Sequence, residues 1–512
     1  MKTKILLLFA LFFIKTGFTQ VDSVAYKYAQ TIDKEDIQQI IFSLSSDSML
    51  GRNTASEGQK RAESYIVERF KELEISPGNG DSYLQEFSVV NKGFLEMDLV
   101  INDQRISNDD IFSTRGIKGS ELECDHIIFA GFGISSEKYN DYAEIDTKGK
   151  AVFILEKEPI DSKGNSWVNG ESISDWGKNM KLKVNAARLA EARILFVVLN
   201  DLKKIKSKYE YWLSYGAMSL VDNEEEKYFP IVYIDKSAFE NIFEWNDKKF
   251  EKHIDKINSK GEPRSFEKEK SVKLDILGHD DPSVSSNILA AIPGSDLKEE
   301  WIIITAHYDH IGVVNDLIYN GADDNASGTT AVLEVAEAFK KAENDGFVPR
   351  RSILFMLVSG EEKGLLGSKY YTQHPVHPFD KTMVNLNIDM VGRRDENHKD
   401  SNNYIYLIGA DKLSNELHEI SEKANKTYSQ LEIDYTYNAE DDPNRFYYRS
   451  DQYNFAKNNI PVIFYFNGTH EDYHKATDTA DKIELDALQK RAQLVFYTTW
   501  ILAGKDEMLK LD

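Results

Sequence analysis

Apolar residues along this chain fall into three textures, and each predicts a different kind of element. In the first, they recur singly at helical spacing. Ile37, Ile40, Ile41 and Leu44 line one face of a helix predicted over 33–46, and Ala62, Tyr65, Ile66, Phe70 and Leu73 line another over 56–73. Ser76-Pro77-Gly78 ends that helix, and 83–90 reads as a strand. From about residue 92 the second texture takes over: strand-like runs at 96–101, 126–129, 151–155, 194–199 and 231–233, cut by Gly and Asp turns, with one helical patch at 184–192. The charged stretch 246–273 closes it as a solvated linker or surface helix. In the third texture uninterrupted apolar runs alternate with helical patterns. Strands are predicted at 287–292, 301–306, 352–358, 383–388, 404–408 and 461–466, and helices at 329–341, 364–372, 412–426 and 485–503. Runs that are apolar throughout belong to strands covered on both faces. The alternation therefore predicts an α/β fold: a mostly parallel mixed sheet sandwiched by helices. Its two parts, 21–91 and 274–512, are interrupted by a separate β-rich domain over 92–273.

Ahead of these elements, Lys2 and Lys4 precede an apolar core over 5–14, and Gly17 and Thr19 are small enough for a signal-peptidase site. Residues 1–20 thus read as a secretory signal peptide, which predicts export to the periplasm or the medium. The core is too short to span a bilayer stably, and no later run is long and apolar enough, so no stable membrane insertion is expected. The net charge of −23 argues against nucleic acid as a partner, since a phosphate-binding face needs clustered Lys and Arg. Cys124 is the only cysteine; it can form no disulfide within the chain and is expected to be buried.

Candidate chemistry collects at the ends of the predicted strands. The run 301–306 leads into His307-Tyr308-Asp309-His310, and 352–358 leads into Ser359-Gly360-Glu361-Glu362. Between them Gly321-Ala322-Asp323-Asp324-Asn325-Ala326-Ser327-Gly328 opens a helix. Two buried strands joined by a helix form a βαβ unit, and ligands of such sheets sit beyond the strands' carboxyl ends. Asp389 closes a further strand, and His474 lies in a loop before the last helix. Five candidate metal ligands follow: His307, Asp323, Glu362, Asp389 and His474. Nitrogen and carboxylate donors without sulfur suit a catalytic zinc site. Five are more than one zinc uses while keeping a place for water, so two Zn(2+) per chain sharing a carboxylate fit the count better. Asp309 falls on the same side of a strand as His307 and can orient its ring. Beside the ligand Glu362, Glu361 is free to take a proton from water.

At these residues the chain resembles the co-catalytic di-zinc aminopeptidases related to bacterial leucyl aminopeptidase and glutamate carboxypeptidase II. The resemblance rests on His307 to Gly312, Gly321 to Gly328, Ser359 to Glu362, Asn387 to Gly392 and Asp472-Tyr473-His474. It implies the zinc exopeptidase fold, with His307 and Asp389 on one zinc and Glu362 and His474 on the other. Asp323, the first of the aspartate pair, would be the bridge rather than Asp324. Glu361 would be the general base, Asp309 the residue orienting His307, and the Tyr473 hydroxyl a support for the tetrahedral oxyanion. The implied reaction removes N-terminal residues from peptide substrates by metal-bridged hydroxide. Glutaminyl cyclase-like activity, carboxypeptidase activity and a non-catalytic binding module are the alternatives. The middle region, with Ala130 to Ile134, Asp141-Tyr142 and Asp146 to Val152, resembles an inserted protease-associated domain and implies a lid or substrate-binding role. Near the motifs, His310, His374, His377 and His470 are expected to stay off the metals, and the loop 441–449 is a candidate pocket wall.

Overall fold

The computed structural model describes residues 21–113, 121–170, 172–208, 217–221 and 229–512, so the predicted signal peptide lies outside the described residues. The chain forms two compact units, one from residues up to Phe87 together with Ser285–Asp512, the other from Ser88–Val284. The sequence reading set the seams at 91/92 and 273/274. Long strands, Leu84–Ile101 and Phe266–Ile292, run through both seams, so no turn signal marks the change of unit.

The first unit begins with helices α1 (Ser23–Ala29), α2 (Lys34–Leu44) and α3 (Glu57–Glu72). Asp33 and Ser56 cap α2 and α3, their side chains accepting backbone N–H groups of the first turn. The second unit is a smaller layer of strands and helices. Its strands β1 (Glu121–Phe129), β2 (Ala151–Leu155), β3 (Ile194–Leu199) and β4 (Ile231–Asp235) pair in parallel in that order, with helix α4 (Met180–Leu189) between β2 and β3. Residues 266–275 of strand β5 (Phe266–Ile292) add antiparallel to β1. The segment 246–273, expected as a solvated linker or surface helix, divides into a helix at Asp247–Lys260 and the start of β5. Cys124 is buried in this unit's core beside Val272 and Leu274.

The chain then returns to build the larger sheet of the first unit. Its elements are β6 (Leu297–His307), α5 (Gly328–Asn344), β7 (Arg351–Val358), α6 (Leu366–Gln373), β8 (Thr382–Ile388), β9 (Tyr404–Ile408), α7 (Asn415–Ala424), β10 (Glu432–Asp434), β11 (Val462–Phe466) and α8 (Leu485–Gly504). The strand order is β10-β9-β11-β8-β6-β7-β5. From β11 to β7 all pairs are parallel; β5 on β7 and β9 on β11 are antiparallel. The predicted α/β architecture is present, a mostly parallel mixed sheet with helices on both sides.

Side-chain alternation explains why the strands look apolar throughout. Ile302, Ile304 and Ala306 of β6 pack with Val335 and Phe339 of α5 and Leu488 and Val495 of α8. Ile303 points the other way, to Leu354, Met356 and Tyr371. Parallel strands also bring the ends of β6, β7, β8 and β11 to one edge, and that edge carries the chemistry.

Candidate metal centre

His307 ends β6, Glu361 and Glu362 follow β7, Asp389 follows β8, and His474 lies in the loop after β11. The turn into α5 supplies the centre of the arrangement. One oxygen of Asp324 lies 3.3 Å from His307 Nε2, and the other lies 3.1 Å from His474 Nε2. Asp389 Oδ1 is 3.3 Å from the same nitrogen of His307, and Glu362 Oε2 is 3.3 Å from that of His474. Two imidazole–carboxylate half-sites thus share a third carboxylate.

That shared carboxylate belongs to Asp324, not to Asp323 as the sequence reading had it. Asp323 is turned away: its oxygens accept the Gly392 N–H at 2.6 Å and the Asn467 amide at 3.1 Å, and His470 Nε2 lies 3.1 Å off. The turn is built to hold the two aspartates apart. Asp478 accepts the backbone N–H groups of both, and Asn325 anchors the turn to the end of β8 by donating to the Ile388 carbonyl. Asp324 itself has φ −106 and ψ 92, outside helical geometry.

His310, set aside in the sequence reading, is inside the cluster. Its Nδ1 lies 2.8 Å from Glu362 Oε1 and 3.8 Å from Asp324 Oδ2. His470 instead serves Asp323, His377 stacks on Trp301 at 3.5 Å, and His374 stacks on Tyr370. Asp309 takes a different part from the one expected. His307 Nδ1 lies 3.0 Å from the Asp309 carbonyl but 3.8 Å from its carboxylate. A carbonyl only accepts, so Nδ1 carries the proton and Nε2 is left to face the shared carboxylates. The Asp309 carboxylate accepts Thr54 Oγ1 and the Glu361 N–H, which fixes the turn presenting Glu361.

Glu361 Oε2 stands 3.9 Å from His307 Nε2. Tyr473 stacks on His474, and its hydroxyl lies 3.5 Å from Arg449 Nη2, a cation that sequence reasoning had only within a pocket-wall loop. These groups open onto a pocket whose apolar wall is Met390, Phe446, Phe464 and Phe466.

The electrostatics follow from burying so many acids together. Burial disfavours charge on His307, yet Asp389, Glu361 and Asp324 outweigh it and hold the imidazole well above its ordinary value. His474 is likewise pushed up, to about 11, by Glu362 and Asp324 against the pull of burial. Glu361 is raised well above the usual carboxylate range, first by burial and then by Asp389 and Glu362 despite His307. A buried carboxylate cluster that holds protons on its imidazoles is short of positive charge.

The donor set fits zinc. It consists of imidazole nitrogens and carboxylate oxygens, and His307, Asp324 and Asp389, like His310, Asp324 and Glu362, converge closely enough to hold an ion. His310 Nδ1 and Glu362 Oε1 are buried and face each other at 2.8 Å without hydrogen-bond geometry, two donor atoms that a metal ion would satisfy.

Known proteins place this region. Residues 287–499 match the model of Peptidase family M28. Over 258 residues the chain is 28% identical to Aminopeptidase YwaD of Bacillus subtilis, covering 49% of this chain and 51% of that protein. Over 115 residues it is 36% identical to a probable zinc metalloprotease of Pyrenophora tritici-repentis, covering 22% of this chain and 23% of that one. The chain thus spans about half or less of the length of these curated relatives. The fold is that of a solved aminopeptidase from Aneurinibacillus sp. strain AM-1, at TM-score 0.59 and 19% identity over 95% of this chain and 98% of that one. A zinc aminopeptidase from Bacillus subtilis superposes at TM-score 0.52 and 19% identity, covering 93% and 96%. The stretch that carries the candidate centre, residues 287–499, is thus similar to peptidase family M28.

Proposed function

We propose that this chain is an exported zinc exopeptidase acting as an aminopeptidase on peptides. The observation that carries the reading is the Asp324 carboxylate, which sits 3.3 Å and 3.1 Å from two imidazoles that each face a carboxylate of their own. His307 and Asp389 would hold one zinc, His474 and Glu362 the other, with Asp324 between them and His310 beside the second. Bound zinc supplies Lewis acidity toward a scissile carbonyl and lowers the pKa of water.

The chain's own groups supply the rest. Glu361, with its proton affinity raised by burial, takes the proton of the attacking water and returns it to the leaving amine. Its carboxylate is aimed by the Glu361 N–H bond to Asp309, an acid that accepts and so does not compete for the proton. The Tyr473 hydroxyl, next to the Arg449 guanidinium, is a donor for the charge that develops on the carbonyl oxygen. The pocket wall of Met390, Phe446, Phe464 and Phe466 excludes water from one side of the site. Export rests on the leader read in residues 1–20.

The test is a panel of aminoacyl and C-terminal peptide substrates on the zinc-loaded protein, with and without a zinc chelator. Release of N-terminal residues, abolished by chelation, is expected. Glu361→Gln should lower turnover by about 10²–10⁴-fold while zinc content stays at the parent level. Turnover that survives this substitution would remove Glu361 from its role, and cleavage only at carboxyl termini would overturn the aminopeptidase reading.

A further inference from the structure

Away from the candidate centre, α2 and α5 meet at a second acidic cluster. Asp36 in the first turn of α2 and Glu334 and Glu337, one turn apart on α5, bring carboxylate oxygens within 4.8 Å of one another. A cation bound at about 2.4 Å from each of its oxygens can bridge that span.

A cluster of acids is ordinary on a surface; this one is not all on the surface. Glu334 is 2% exposed. One of its oxygens accepts the Asp33 N–H at 3.3 Å, while the other, Oε1, is buried with no hydrogen-bond partner. The neighbouring cations do not reach it: Arg69 lies 3.3 Å and Lys341 2.9 Å from Glu337. Burial, then Glu337 and Asp36, push the Glu334 carboxyl up to about 8. A buried carboxylate with an orphaned oxygen, grouped with two further carboxylates, calls for either a proton or a cation.

We propose that Asp36, Glu334 and Glu337 form a calcium site that clamps α2 to α5. The donors are all carboxylate oxygens, which favours a hard cation over zinc. Asp36 and Glu337 are only half-buried, so water has access to complete the coordination shell, as Ca(2+) with its flexible geometry accepts. The inference is independent of the proposed peptidase reaction, since none of the three residues lines the catalytic pocket.

The test uses the zinc-loaded full chain in about 0.15 M NaCl, a salt level that screens non-specific attraction. Calcium chloride is titrated by calorimetry and by thermal unfolding, with magnesium chloride as comparator. Calcium should bind at a site absent from Glu334→Gln and raise Tm by about 2–4 °C in the parent only. Glutamine supplies a neutral donor where a shared proton would sit, so it separates the two ways of satisfying the cluster. A parent insensitive to calcium, with Glu334→Gln as stable or more so, would mean that a proton occupies the cluster and would overturn the proposal. Calcium binding unchanged in Glu334→Gln would overturn it as well. Should Glu334→Gln not fold, Asp36→Asn at the half-buried position carries the same expectation, a calcium affinity at least about 10-fold weaker, and the same refutation if affinity is unchanged.

Discussion

At the scale of single residues, the centre turns on which of two adjacent aspartates faces the imidazoles. Asp324 does, and Asp323 is spent on Gly392, Asn467 and His470. If the parent holds the proposed two zinc ions, Asp324→Asn should therefore leave less than about one per chain. Asp323→Asn should keep both ions and cost about 1–3 kcal/mol of unfolding free energy, because a buried acceptor of three donors is weakened. Metal analysis with urea unfolding reads both outcomes, and loss of zinc from the Asp323 variant alone would reverse the assignment. The residue types and their elements were legible in the sequence because strand ends and a helix start are marked by apolar periodicity. The direction of each aspartate was not. It depends on the backbone of the turn, where Asp324 leaves helical geometry and Asp478 grips both N–H groups, and Asp-Asp-Asn carries no sign of either. His310 was missed for a similar reason: the residue count was already satisfied without it, and only its 2.8 Å approach to Glu362 brings it in. Tyr473 belongs to this scale too. With its hydroxyl 3.5 Å from Arg449, Tyr473→Phe should lower kcat by about 10²–10³-fold with little change in KM. An equal loss in KM would assign the hydroxyl to ground-state binding instead.

At the scale of elements, the strand ends need bracing, because loops at a sheet edge have few backbone partners of their own. Arg52 provides it from a short 3-10 turn between α2 and α3. Its guanidinium, 1% exposed, donates to the carbonyls of Leu44, Tyr308, Asn320 and Gly321 at 2.6–2.9 Å. It thereby ties the end of α2 to the loop after β6 and to the turn that leads into Asp323 and Asp324. Burial draws its pKa down, to about 10, yet it stays charged because Asp324, Asp478 and Asp309 face it. Arg52→Met removes every donor and leaves four carbonyls to be met by nothing, which should cost about 3–5 kcal/mol. Arg52→Lys keeps the charge but not the planar fork, so it should recover only part of that loss. Urea unfolding of the zinc-loaded variants measures both, and equal stability of Arg52→Lys and the parent would show that charge alone matters. The sequence made α2, α3 and the strands readable, since each has its own period. It did not disclose the brace, because an arginine in a loop looks like surface until the fold closes three separate segments around it.

At the scale of the whole molecule, the two units have separate hydrophobic cores, and their labels for experiment are also separate. All proposed zinc ligands lie between His307 and His474 in the larger unit. The single thiol, Cys124, lies in the smaller one, 5% exposed on β1, and burial pushes it up to about 11. A thiolate is the reactive form, so a buried thiol held protonated reacts with an alkylating reagent only after its own unit opens. Zinc binds folded rather than unfolded chain and should stabilise the unit that holds it by about 3–4 kcal/mol at ligand concentrations of 100 to 1,000 times Kd. Calorimetry should accordingly show two transitions, of which a zinc-selective chelator lowers one. Cys124 alkylation below both transitions should proceed at the same rate with and without chelator. If chelation speeds alkylation by about 10-fold or more, opening of the metal-bearing unit exposes β1 as well, and the two cores unfold as one cooperative body.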